Sequence, residues 1–327
     1  MSDQPEPGPA RSTPAARQSS PVRRKTHADD IRTRNIQIGV LVAGLVALFT
    51  LLVDSAGPLT PVKALILGVV EGITEFLPIS STGHLLVTQR ILGLGEGAGK
   101  TAADTYVVAI QIGAILAVVA LYRQRLIQLV RGVAGRDQVG RTLLIRLAIA
   151  FVPAAFVGFI LGDTIKAQLF GGWPVVAAWL AGGVFLLWWK PRSGSIPITE
   201  FTVRHAAIVG AAQILALWPG MSRSLTTIVA ALAIGATTTA AVEFSFLLGL
   251  ATLSAATAYD LTKNGSTIVA DYGIVTPLLG AFVAFVTALA AVRWLVATLR
   301  THPLSIFGWY RIAIAVLTAG LLGIGAI

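Results

Sequence analysis

Val69-Val70-Glu71-Gly72-Ile73-Thr74-Glu75-Phe76-Leu77-Pro78-Ile79-Ser80-Ser81-Thr82-Gly83-His84 sets two carboxylates in an apolar run and then breaks that run with proline, hydroxyls and glycine. Glu71 and Glu75 are four positions apart, so a helix carries both on one face. Pro78 removes a backbone donor, and the residue before a proline is pushed out of the α region, so the helix ends there. Apolar sequence resumes at Leu85. Residues 62–92 therefore read as helix, break, helix, the form of a re-entrant hairpin in a membrane.

The rest of the chain agrees with a bilayer as solvent. Of 327 residues 55% are hydrophobic and 12% charged, with mean hydropathy +0.78, so most of the length cannot be the surface of a water-soluble protein. The expected fold is all-α and polytopic. Apolar runs long enough to span occur at 104–122, 143–161, 173–189, 241–259, 274–296 and 306–326. A seventh, Ile36–Val53, follows the basic cluster Arg23, Arg24, Lys25, Arg32 and Arg34. No small-residue cleavage site follows it, so it reads as a retained signal-anchor helix. Residues 1–34, rich in Pro, Ser, Arg and Asp, read as a disordered basic cytoplasmic tail. The expected organisation is thus tail 1–34, extra helix 35–58 and membrane-embedded domain 59–327, with about seven spans.

The absence of cysteine excludes disulfides and thiolate chemistry, and His27, His84, His205 and His302 have no zinc-ligand spacing. The net charge of +10 lies largely in the tail and in short segments beside apolar runs. That pattern points to topology and lipid headgroups, not to nucleic acid. Membrane lipids are the expected surroundings, and a homo-oligomer is left open.

A second interrupted segment, 205–235, breaks at Trp218-Pro219-Gly220-Met221-Ser222-Arg223-Ser224. Gly68, Glu71, Phe76 and Ser80 align without gaps on Gly210, Gln213, Trp218 and Ser222, a weak internal repeat. By the positive-inside rule the Arg123, Arg125, Arg131, Arg136, Arg141 loop, the Lys190, Arg192, Arg204 loop and Arg300 are cytoplasmic. Asp163, Lys166, Asp260 and Asp271 then fall outside. The first hairpin enters from outside and the second from inside, so the repeats are inverted and their polar tips meet near the midplane.

Two ionised acids on one intramembrane face require compensation, which a hard divalent cation, Mg2+ or Ca2+, bound by Glu71 and Glu75 would supply. Partial exposure to water is the alternative. Ser80, Ser81 and Thr82 offer hydroxyls and His84 a neighbouring base; Ser80 and Ser81 would equally serve as caps of the second half-helix. Arg223 at a helix start is suited to bidentate phosphate binding, or alternatively to neutralising Glu71 or Glu75. Trp173, Trp188, Trp189, Trp294 and Trp309 lie near span ends as interfacial belts, with His205 at a helix entrance and His302 in a loop.

Glu71-Gly-Ile-Thr-Glu75-Phe-Leu-Pro-Ile-Ser-Ser81-Thr-Gly-His84 and Pro219-Gly-Met-Ser222-Arg223-Ser224 closely resemble the two signature motifs of the undecaprenyl-pyrophosphate phosphatase, or bacitracin-resistance, family. The resemblance runs from about Lys63 to the C-terminus and includes Ile110–Val118, Asp163-Thr-Ile-Lys166 and Glu243–Leu248. It implies a divalent-metal-dependent enzyme of the bacterial plasma membrane that hydrolyses undecaprenyl pyrophosphate to the monophosphate carrier. Glu71 and Glu75 would hold the metal. Arg223 and Ser222, with Ser80, Thr82 and Thr227, would bind the phosphates, and Ser81 would be the nucleophile with His84 as acid/base; water or His84 as nucleophile stays open. Leu225 and Thr226 stand where family members carry glycine and a small residue. A rival function, transport of the polyprenyl phosphate across the membrane, fits inverted repeats but has no need of a nucleophile beside a base. The arginine count makes the expected site open to the extracytoplasmic side.

Overall fold

In a computed structural model, described over residues 59–94, 99–191 and 194–327, the chain is built of α-helices, with one isolated parallel bridge and no strand among the described residues. The expected tail and first helix, 1–58, lie outside the described residues. The first interrupted segment is α1 (Pro61–Thr74) and α2 (Ser81–Ile91). Then come α3 (Lys100–Ala109), α4 (Gln111–Leu121), α5 (Arg123–Val133), α6 (Gln138–Leu169) and α7 (Gly172–Trp188). The second interrupted segment is α8 (Val203–Gln213), a 3-10 turn (Ile214–Leu217) and α9 (Arg223–Ala233). Last are α10 (Thr238–Tyr272), α11 (Val275–Thr298) and α12 (Ser305–Gly323).

Among the described residues five helices are long and apolar enough to cross a membrane: Lys100–Leu121, formed by α3 and α4 across a turn at Ile110, and α6, α10, α11 and α12. They cover five of the six expected runs beyond residue 58. The sixth, 173–189, is α7, whose 17 residues extend about 25 Å, less than a hydrocarbon core of about 30 Å. α6 and α10 are longer than their apolar runs, at 32 and 35 residues. Helical hydrogen bonding continues through polar sequence once nucleated, so apolar length marks the membrane-crossing part and not the helix end. The arginine segment is mostly helix α5 and not a loop, because Leu126 and Leu129 pack into the main apolar cluster. Phe156, Phe159 and Ile160 of α6 are exposed, an outward apolar face suited to lipid. Trp173, Trp188, Trp294 and Trp309 are exposed near helix ends, as interfacial belts require.

Close helix contacts fix the first hairpin. Gly68 and Gly72 form a small-xxx-small pair on α1 against α11. A Cβ on Gly68 would come within 2.5 Å of the Gly280 carbonyl, and one on Gly72 would collide with Thr287. That packing buries Glu71 completely. At the arginine end, Arg125 pairs with Glu243 at 2.6 Å and Arg146 donates to the Thr199 carbonyl at 2.9 Å. There the chain before α8 meets the chain after α9: Ile196 N donates to Gly235 O and Thr237 N to Ile196 O, both at 3.0 Å. Lys166 pairs with Asp260 at 3.6 Å, and Leu59 and Leu94, flanking the first hairpin, share a buried cluster with Ile268 and Tyr272. The second interrupted segment therefore returns close to where it began, and the flanks of the first share one apolar cluster.

Candidate active site

Both breaks use the same local backbone. Ser80 and Ser222 are the two non-glycine residues of positive φ among the described residues, both at 74°, with ψ of 102° and 116°. Such a conformation costs on the order of 1–3 kcal/mol and persists only where surrounding bonds impose it. Each serine caps the following half-helix, Ser80 Oγ accepting from Gly83 N at 3.4 Å and Ser222 Oγ from Leu225 N at 3.2 Å. The two turns also bond each other. Gly220 N donates to Ser80 Oγ at 3.1 Å, and the hydroxyls of Ser222 and Ser224 donate to Leu77 O at 3.4 and 2.8 Å.

Side chains of the two motifs converge across this contact. Arg223 Nη2 donates to Glu75 Oε1 at 2.8 Å, and Nη1 donates to the Ser245 carbonyl at 2.8 Å. Ser81 Oγ donates to the other carboxylate oxygen, Glu75 Oε2. Glu75 thus joins a hydroxyl at the start of α2 to a guanidinium at the start of α9. The guanidinium lies 5.9 Å from the Phe76 ring centroid, and its Nε is buried without a partner, leaving donors for an anion. All three side chains are shielded from solvent, which strengthens their electrostatics.

His84 is held apart from Ser81. Its Nδ1 lies 2.6 Å from the Ser80 carbonyl, which can only accept, so Nδ1 carries the proton. In the neutral ring Nε2 then accepts from the Tyr310 hydroxyl at 2.9 Å. The ring also packs edge-on against Trp179, 4.8 Å between centroids. The base touching Ser81 is Glu75, not His84. Thr227 Oγ1 bonds Arg223 O at 2.8 Å and Ser245 Oγ at 2.6 Å, steadying the residue that receives Arg223. Thr82 is half-buried and makes no side-chain hydrogen bond among the described residues. Leu225 joins the main apolar cluster and Thr226 bonds Arg223 O at 3.0 Å, so the departures from the motif are packed, not exposed.

Glu71 is buried with neither carboxylate oxygen hydrogen-bonded. Its repeat counterpart Gln213 is also buried, with both amide atoms unpartnered. Sequence reasoning passed over four residues that complete the site: Trp179, Ser245, Tyr310 and Arg311. Trp179 Nε1 donates to Ile79 O at 2.8 Å. Arg311 could have been found, since an arginine inside an apolar run is costly enough to demand a role. His205 closes a capping box with Thr202 at the start of α8, and His302 is exposed between α11 and α12.

Comparison with known proteins places the chain in a family. The family model "Bacitracin resistance protein BacA" matches residues 64–317. The undecaprenyl-diphosphatase of Sorangium cellulosum is 45% identical over 265 residues, 79% of this chain and 85% of that one. That of Bradyrhizobium diazoefficiens is 42% identical over 270 residues, 81% and 98% of the two chains. Undecaprenyl-diphosphatase 1 of Chromobacterium violaceum is 43% identical over 260 residues, 79% and 94%.

Proposed function

The chain belongs to the bacitracin resistance protein BacA family, and we propose that its two serine turns form one active site, with the nucleophile on the first and the phosphate clamp on the second. The protein is a membrane hydrolase that converts undecaprenyl pyrophosphate to undecaprenyl phosphate and inorganic phosphate, recycling the lipid carrier for cell-wall synthesis. The observation that carries the residue assignment is the Ser81, Glu75, Arg223 chain across the two turns.

Ser81 Oγ attacks the terminal phosphorus as Glu75 takes its proton. The bond from that phosphorus to the bridging oxygen breaks, its electron pair leaving with undecaprenyl phosphate, and the phosphoryl group rests on Ser81. Water then attacks this phosphoserine, giving one proton to His84 Nε2 in place of the Tyr310 hydroxyl, while Ser81 Oγ recovers the proton held by Glu75 and inorganic phosphate departs. Arg223 neutralises charge on the phosphoryl oxygens throughout, through its free Nε and the donors released from Glu75. Thr82 and the backbone N–H groups at the starts of α2 and α9 contribute further phosphate contacts, while Ser80, Ser222 and Thr227 hold the turns. A hydroxyl already bonded to a carboxylate favours bond cleavage over carrier transport.

The donor set fits a hard divalent cation through Glu71, whose two buried oxygens are unpartnered, whereas both Glu75 oxygens are engaged. Glu71, with Glu75 beside it, would hold Mg2+ or Ca2+, which when bound supplies positive charge to the pyrophosphate oxygens. Among the described residues no three His, Cys, Asp or Glu form a metal cluster, so phosphate oxygens and water would complete the coordination.

The inverted-repeat reading, with two re-entrant hairpins, is supported by the matched serine turns, by the return of the second segment close to where it began and by the apolar cluster that the flanks of the first share. The arginine-rich end would be cytoplasmic, and the first hairpin would open outward, in line with Lys166 and Asp260 meeting at the opposite end. Phosphate release from a polyprenyl pyrophosphate by the purified full chain, with and without divalent cation, tests the activity. Release that depends on the cation, and that goes to the outer medium in sealed right-side-out vesicles, is expected. Cation-independent release would remove the metal assignment, and release only into the lumen would invert the orientation.

A further inference from the structure

Arg311 lies in the apolar helix α12 and is fully buried. Among the described residues no carboxylate pairs with it; its charge is met by backbone carbonyl dipoles. Nη1 donates to Pro78 O at 3.3 Å, and Nη2 donates to Gly220 O at 2.8 Å and Ala178 O at 2.9 Å. The choice of carbonyls is informative. Pro78 stands two residues before Ser80, and Gly220 two residues before Ser222, so one guanidinium grips corresponding positions of the two turns. The third carbonyl belongs to α7, which through Trp179 also holds Ile79 O. The preceding residue, Tyr310, holds His84.

A general counter-ion would sit beside an acid, and a packing residue would not need a charge at this depth. A planar fork reaching three carbonyls from three elements fixes distances, a task lysine's single ammonium cannot repeat. We infer that Arg311 is a positioning residue that locks the two turns together and so sets the placement of Ser81 on the first against Arg223 on the second. This rests on the reading of Ser81, Glu75 and Arg223 as the reacting set. Arg311 itself touches none of them.

Gly182 of α7 provides an independent handle. A Cβ there would collide with the Arg311 guanidinium, so Gly182→Ala pushes the fork off its carbonyls while leaving the arginine in the chain. Alanine also favours the helix, so the variant should fold.

The test compares Arg311→Lys, Gly182→Ala, the double variant and Glu75→Gln in the purified full chain, by steady-state kinetics and thermal unfolding. Each single variant at 311 or 182 is expected to lower kcat about 100-fold, the scale of a misplacement near 1 Å. KM should change less than about 3-fold, because the contact acts on the transition state and not on binding. The unfolding midpoint should stay near wild type, and the double variant should be no worse than Arg311→Lys alone, as expected of two lesions in one contact. Near-normal kcat in Gly182→Ala overturns the inference, as does a loss confined to KM or one accounted for by less folded protein. If Glu75→Gln keeps wild-type activity, the underlying site reading fails. If Glu75→Gln is inactive while both Arg311→Lys and Gly182→Ala turn over normally, only this inference fails.

Discussion

In the first hairpin the residue after the positive-φ serine is Ser81; in the second it is Arg223. Both open a half-helix capped by that serine, so one turn geometry presents a hydroxyl on one side and a guanidinium on the other. Upstream the pairs diverge further. Glu71 faces Gln213 in the alignment, and Glu75 faces Leu217. The first hairpin holds the acids and the hydroxyl proposed to attack, the second the guanidinium, and Glu75 bridges the two. The difference teaches that one turn geometry, used twice, places whatever residue follows its serine, and that different residues on it present different chemistry.

Removing the shared element should have the largest effect. Glu75→Gln keeps the shape but cannot accept the Ser81 proton, and kcat should fall about 1,000-fold or more. Arg223→Lys keeps the charge and loses the fork, with an expected loss of about 100-fold in kcat. Phosphate release under saturating substrate measures both. An Arg223→Lys enzyme of near-normal rate would reduce Arg223 to a counter-ion of Glu75 and break the division of labour.

Exchanging the unequal pair sharpens the comparison at smaller scale. Glu71→Gln makes the first hairpin resemble the second; the protein should fold, with apparent divalent affinity weakened about 10- to 100-fold. Gln213→Glu buries an acid with no cation beside it, at a cost of about 2.5–3.5 kcal/mol, read as a lower unfolding midpoint with unchanged metal titration. A metal response that moved with Gln213→Glu and not with Glu71→Gln would reverse the assignment.

Much of this was legible in the residues. Pro78 and the Ser80-Ser81-Thr82 cluster inside an apolar run announce a broken helix, and Pro219-Gly220 does the same for the second segment, because proline and glycine act locally. The Arg223–Glu75 ion pair was among the readings the sequence left open. The partner of Ser81 was not legible. His84 is nearer along the helix, and only the return of the chain after the break lays Glu75 against that hydroxyl. The grip of Arg311 depends on carbonyls more than 90 residues away in sequence, and backbone acceptors leave no trace in residue identity. α7 lies where the run 173–189 was expected to span, but at 17 residues it is shorter than the five long helices, and apolar composition does not report where a helix stops.

The central claim is that a serine of one hairpin attacks the phosphorus that an arginine of the other holds. The stereochemical course tests it most directly, using substrate whose terminal phosphorus is made chiral with sulfur and oxygen isotopes. Two in-line displacements, through Ser81 and then water, predict retention of configuration in the released thiophosphate. Inversion would show a single attack by water and contradict the account.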